Sequence, residues 1–135
     1  MKETIYTIPI NEAFDRYEGC PVCRLWSKLD ADSVEYVMGA AMMEPDVRVR
    51  TNQLGFCGAH LEKMLAVKNR LSLALILESR LPELEAALFP QTKRSAPGGE
   101  RDVKKLLAAS QKAKDGCFVC ERVGGFMAHY YENIL

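Results

Sequence analysis

Apolar residues recur at intervals of three and four along most of the chain, the repeat expected of helices buried on one side. Ile10, Ala13, Phe14 and Tyr17 follow Pro9 and Asn11 and predict a short first helix ended by Gly19. A second helix starts at Cys20 with Pro21 in its first turn, where a missing N–H costs nothing, and runs through Leu25, Trp26, Leu29, Val34, Val37, Met38 and Ala41. Pro45 and Gly55 bracket Asp46 to Leu54, whose Val47, Val49 and Thr51 permit either two helical turns or an extended stretch. From Phe56 to Phe89 the repeat is helical again, with Leu61, Met64, Leu65, Leu71, Ala74, Leu75, Leu77, Leu81, Leu84 and Leu88 on a broad apolar face. Pro82 either kinks this helix or begins another, because an internal proline removes a backbone bond and crowds the preceding turn.

The polar, turn-rich stretch PQTKRSAPGG has the composition of a linker. Beyond it, Glu100 to Lys114 forms one amphipathic helix carrying Val103, Leu106, Leu107 and Ala113, and a last helix starts near Cys117. These elements predict an all-α protein, a small helical bundle. Its organisation reads as a helical domain over residues 1–89, a linker at 90–99, and a helical segment over 100–135.

Charge narrows the function classes. Eighteen basic side chains balance eighteen acidic ones, so the long-range field that steers proteins to nucleic acid or anionic lipid is missing. The longest apolar run, Leu71 to Leu77, is interrupted by Ser72 and falls far short of a bilayer span. Lys2 is followed by no stretch resembling a signal peptide, which predicts a cytoplasmic protein. Five cysteines in such a chain point to metal binding or thiol chemistry rather than a disulfide framework.

Cys20 and Cys23 stand three residues apart at one predicted helix start, and Cys57 and His60 repeat that spacing at another. Each pair presents two ligands on one face of a first turn. If the two helices start at the same end of the bundle, three sulfurs and one nitrogen can close a tetrahedral zinc site, clamping the two helix N-termini together. Three thiolates and a neutral imidazole leave about one excess negative charge around zinc, which helix N-termini stabilise. Alone, Cys57 would read as a small buried residue and His60 as a satisfied helix histidine; the joint spacing carries the ligand reading. Haem attachment does not fit, since Arg24 and Glu121 follow the two Cys-x-x-Cys pairs where histidine is needed. Iron–sulfur ligation stays open.

The chain also repeats itself. Gly19-Cys20-Pro21-Val22-Cys23 aligns with Gly116-Cys117-Phe118-Val119-Cys120, but the second copy's Cys-x-x-His would fall past Leu135. Either the chain is a piece of a longer protein, or Cys117 and Cys120 find ligands elsewhere, as a second, incomplete site. His129 is a poor substitute, because nine helical residues beyond Cys120 amount to about 13 Å of rise. With Tyr130 and Tyr131 it reads as one side of an amphipathic helix.

GCPVCRL at Gly19 to Leu25, EPDVRVRTNQLGFCGAHLEKML at Glu44 to Leu65, and the returning GCFVCE together resemble an uncharacterised bacterial domain-of-unknown-function family, DUF6062, whose members repeat a CPxC unit followed by FCxxH. The resemblance implies Cys20, Cys23, Cys57 and His60 as a first ligand set and Cys117 with Cys120 as the start of a second.

No phosphate loop, paired histidines or nucleophile motif accompanies these residues, so a zinc-stabilised protein-interaction module is favoured over an enzyme. The alternative is a thiol redox protein, or a zinc-thiolate redox switch, using Cys20-Pro21-Val22-Cys23. Met38, Met42, Met43 and Met64 read as core before ligand groove. Leu77, Leu81, Leu84 and Leu88 keep coiled-coil spacing over only two heptads, so they too read as core, and homodimerisation follows if they are exposed.

Overall fold

The computed structural model describes residues 5–16, 18–89 and 100–134; Tyr17 and the 90–99 linker lie outside the described residues. Within them the protein is all-α, with seven α-helices and no strand. They are α1 (Thr7–Phe14), α2 (Pro21–Met38), α3 (Pro45–Leu54), α4 (Gly58–Ala66), α5 (Arg70–Leu88), α6 (Glu100–Asp115) and α7 (Phe118–Ile134), with a 3-10 turn at Ala40–Met43 after α2. The chain divides into two compact units, Met1–Glu35 with Val119–Leu135, and Tyr36–Phe118. Phe118, the first residue of α7, falls in the second of these units.

In the first unit Ile10, Ala13, Leu25, Val34, Val119, Val123, Met127 and Tyr130 are buried. Tyr6 packs on α7, its ring 5.2 Å from His129 and 6.5 Å, edge-on, from Tyr130. Arg24 ties α1 to α2 by donating from Nη1 to the carbonyls of Ala13 and Arg16, at 2.8 and 3.0 Å. Those carbonyls sit at and beyond the end of α1, where helix geometry leaves acceptors without intrahelical donors. His129 is exposed and lies 3.6 Å from Glu132, while Tyr130 is buried, as an amphipathic helix requires.

In the second unit the open segment resolves as a helix. Pro45 opens α3 with its fixed φ and Asp46 lies in the first turn, near the positive end of the helix dipole, which outweighs the β-preference of Val47 and Val49. The long stretch from Phe56 to Phe89 is two helices. The break falls at Asn69, whose Oδ1 accepts from the Ser72 N–H at 3.2 Å while its Nδ2 donates to the Met38 carbonyl at 3.0 Å. One side chain therefore caps α5 and pins it to the end of α2. Pro82 sits inside α5 without ending it.

A polar belt joins α3 to α5. Asn52 donates from Nδ2 to Glu83 at 3.2 Å and accepts at Oδ1 from the Ser79 hydroxyl at 2.9 Å, and Arg80 donates to the Asn52 carbonyl. Met38, Met42, Met64, Leu73 and Ile76 fill the interior beside it, whereas Met43, Leu65, Leu71 and Leu81 stay exposed. The broad apolar face read from the sequence is thus only partly covered.

Candidate metal centre

Three Cys-x-x-Cys/His pairs occupy equivalent places: one ligand immediately before a helix and its partner on the third helical residue. Cys57 is the N-cap of α4 in an extended conformation, with its carbonyl accepting from Leu61 at 3.0 Å, and His60 follows one turn later. Cys117 precedes α7 and Cys120 lies on its first turn; Cys20 precedes α2 and Cys23 lies on its first turn. This placement aims both side chains of a pair off the same end of a helix.

The backbone decides which pairs meet. Gly55 ends α3 at a φ of 67°, a left-handed conformation that side chains other than glycine's rarely adopt, so α3 passes to α4 through only Gly55, Phe56 and Cys57. The Gly55 carbonyl then accepts the Phe118 N–H at 2.9 Å, satisfying one of the N-terminal donors of α7. Gly116 lies directly against this turn. A β-carbon there would overlap the Leu54 carbonyl oxygen and stand 3.1 Å from its carbonyl carbon. Phe56 and Phe118 complete the clasp with an edge-to-face contact at 6.5 Å.

The clasp brings Cys57, His60, Cys117 and Cys120 together, with their ligand atoms all within 4.8 Å of one another. His60 Nδ1 lies 3.2 Å from Cys57 Sγ and 3.2 Å from Cys117 Sγ. His60 and Cys117 are 5% and 7% exposed, Cys57 is partly covered, and Cys120 is on the solvent side. No disulfide joins any of the five cysteines. Zinc with tetrahedral bonds of about 2.3 Å to sulfur and 2.0 Å to nitrogen would hold sulfur roughly 3.5 Å from nitrogen. His60 Nδ1 stands a few tenths of an ångström inside that distance from two of the sulfurs, while the set as a whole spans up to 4.8 Å, beyond the roughly 3.8 Å between sulfurs on one tetrahedral zinc, so it would close around such an ion by small side-chain adjustments. The cluster could hold a metal ion.

The sequence assignment joined Cys57 and His60 to Cys20 and Cys23; the structure groups them with Cys117 and Cys120, and Cys20 and Cys23 lie outside the group. Both Cys-x-x-Cys pairs have the right spacing and helix-start position, so ligand chemistry alone could not choose between them. The distinguishing signal is the residue between the thiols. Phe118 can pack on Phe56, whereas the corresponding position after Cys20 is Pro21, which has no N–H to give Gly55. The second pair, read as an incomplete site, thus has a partner pair within the chain.

A family model of unknown function, DUF6062, matches residues 1–135. The chain belongs to the DUF6062 family. No curated protein and no solved structure matches it. In this DUF6062 protein the FCxxH element of the first repeat is therefore grouped with the CxxC element of the second.

Proposed function

We propose that this protein is a helical protein-interaction module whose fold is held by one structural zinc ion at Cys57, His60, Cys117 and Cys120. The observation that carries the reading is the convergence of four donor atoms from two helix starts separated by more than fifty residues of chain, in a donor set typical of closed zinc sites. Two of the donors, His60 and Cys117, are buried, so little water competes there for a bound cation. The N-termini of α4 and α7 add partial positive charge and N–H donors beside thiolates that zinc leaves with about one net negative charge. A cytoplasmic setting, where thiols stay reduced, suits such a site.

The interaction role is supported by what the metal site leaves uncovered. Helix α6 has no buried residue, and Leu81, Val103 and Leu107 are exposed on α5 and α6. A protein partner, a second copy included, fits those positions better than nucleic acid, given balanced charge. Among the described residues no helix is long and apolar enough to cross a membrane.

Zinc content of protein purified without added metal, together with melting in the presence and absence of a chelator, tests the metal reading. One equivalent of zinc and a melting point lowered by more than 10 °C on chelation are expected, since binding free energy at a structural site is folding free energy. Metal-free protein whose melting ignores chelator would contradict it. Light scattering across a concentration series reads the self-association arm.

A further inference from the structure

We propose that Cys20 and Cys23 form a dithiol–disulfide exchange site, separate from the metal centre, that reacts with low-molecular-weight disulfides of the glutathione type.

The starting observation is a division of labour between two similar motifs. Cys117 and Cys120 are gathered with Cys57 and His60, while Cys20 and Cys23 are outside that group and both exposed. Cys20 immediately precedes α2 and Cys23 lies on its first turn, so the two thiols leave the same end of the helix. One helical turn places their Cα atoms about 5 Å apart, inside the roughly 4.4–6.8 Å window that a disulfide accepts. Oxidation therefore needs little movement of the backbone, which at a buried pair would be resisted by packing.

The surroundings make the two sulfurs unequal. Hydrogen bonding from the backbone N–H of Cys23, then from the Cys23 thiol and the backbone N–H of Val22, holds the Cys20 pKa below the ordinary thiol value, with the Arg24 guanidinium adding to the effect. Arg24 is fixed in place by its bonds to Ala13 and Arg16. Cys23 is pushed the other way, because it donates to Cys20 and faces the charge forming there. Pro21 between them supplies no competing N–H. Cys20 is thus the attacking sulfur and Cys23 the resolving one.

The chemistry balances as two exchanges. Cys20 thiolate attacks one sulfur of the small disulfide, forming a mixed disulfide and expelling one small thiolate. Cys23 gives its proton to solvent and attacks Cys20 Sγ, expelling the second small thiolate. The protein loses two electrons to the disulfide, which leaves as two thiols once protonated.

The test uses the full chain with its metal, equilibrated in graded mixtures of reduced and oxidised glutathione, then acid-quenched, alkylated and mapped by peptide mass spectrometry. A reversible Cys20–Cys23 disulfide is expected. Cys23→Ser should stop at a mixed disulfide on Cys20, and Cys20→Ser should slow modification of Cys23 by about tenfold or more. Serine is itself a good N-cap, so Cys20→Ser keeps the start of α2 folded, and circular dichroism checks it. Metal content should be unchanged in both variants. A pair that stays reduced throughout, or a Cys20→Ser protein that loses bound metal, would overturn the proposal. Metal-free wild type that still exchanges would count against the zinc reading alone.

Discussion

Replacing Gly116 by alanine adds a single methyl group at the point where the two metal-ligand segments touch. Its carbon would overlap the Leu54 carbonyl oxygen and lie 3.1 Å from the carbonyl carbon and 3.3 Å from Cα of the same residue. All three atoms are backbone, and Gly55 beside them is held at a φ of 67° and by the Phe118 N–H, so the turn has little freedom to retreat. Overpacking in a rigid environment costs about 1–3 kcal/mol. For a chain of this length, about 2 kcal/mol corresponds to a fall in Tm of roughly 6–12 °C. The separation forced on Cys117 and His60, now 3.2 Å between donor atoms, should also weaken metal retention. Gly124→Ala is the control, since nothing lies within 4 Å of its added carbon in the middle of α7. There alanine should stabilise by roughly 0.5–1 kcal/mol through helix propensity. Thermal melting and metal content of both variants decide the matter. A Gly116→Ala protein that melts with wild type and keeps all its metal would refute the clasp.

Three further outcomes follow. Asn69→Ala removes the cap of α5 and its bond to Met38, and should cost about 1–2 kcal/mol in a denaturant melt with unchanged metal content. Tyr130, whose pKa is raised first by burial and then by Asp32 and Tyr6, contributes stability that is complete below the ordinary tyrosine range and is lost as pH rises through its higher folded value. Tyr130→Phe should therefore remove part of the loss of stability seen above about pH 10, as read by melting across that range. His60→Ala should lose metal and fall in Tm, leaving Cys57 and Cys117 without their shared neighbour; unchanged metal content would count against His60 as a ligand.

Helices were legible in the sequence because their apolar residues repeat and their ends carry proline, glycine or asparagine. The break at Asn69 was not, because Leu61 to Leu65 and Leu71 to Leu77 share a compatible spacing and the cap acts through a bond to distant Met38. The thiol and imidazole side chains and their helix-start placement were legible too. The choice between Cys20–Cys23 and Cys117–Cys120 was not, since it depends on long-range backbone pairing of Gly55 with Phe118 and on the tight seat of Gly116; a glycine precedes both pairs, and the one local difference, Phe118 where the first pair has Pro21, gains meaning only once Gly55 and Phe56 are known to lie beside it. Pattern also overstated the core. Leu65, Leu71 and Leu81 lie on the apolar stripe, yet nothing within the described residues covers them fully.

The most direct measurement is zinc content per chain, by elemental analysis, of three proteins purified in parallel: wild type, the double variant Cys20→Ser with Cys23→Ser, and the double variant Cys117→Ser with Cys120→Ser. The geometry of the cluster predicts full zinc in the first two and loss in the third. Zinc lost from the Cys20/Cys23 variant and kept by the Cys117/Cys120 variant would contradict it.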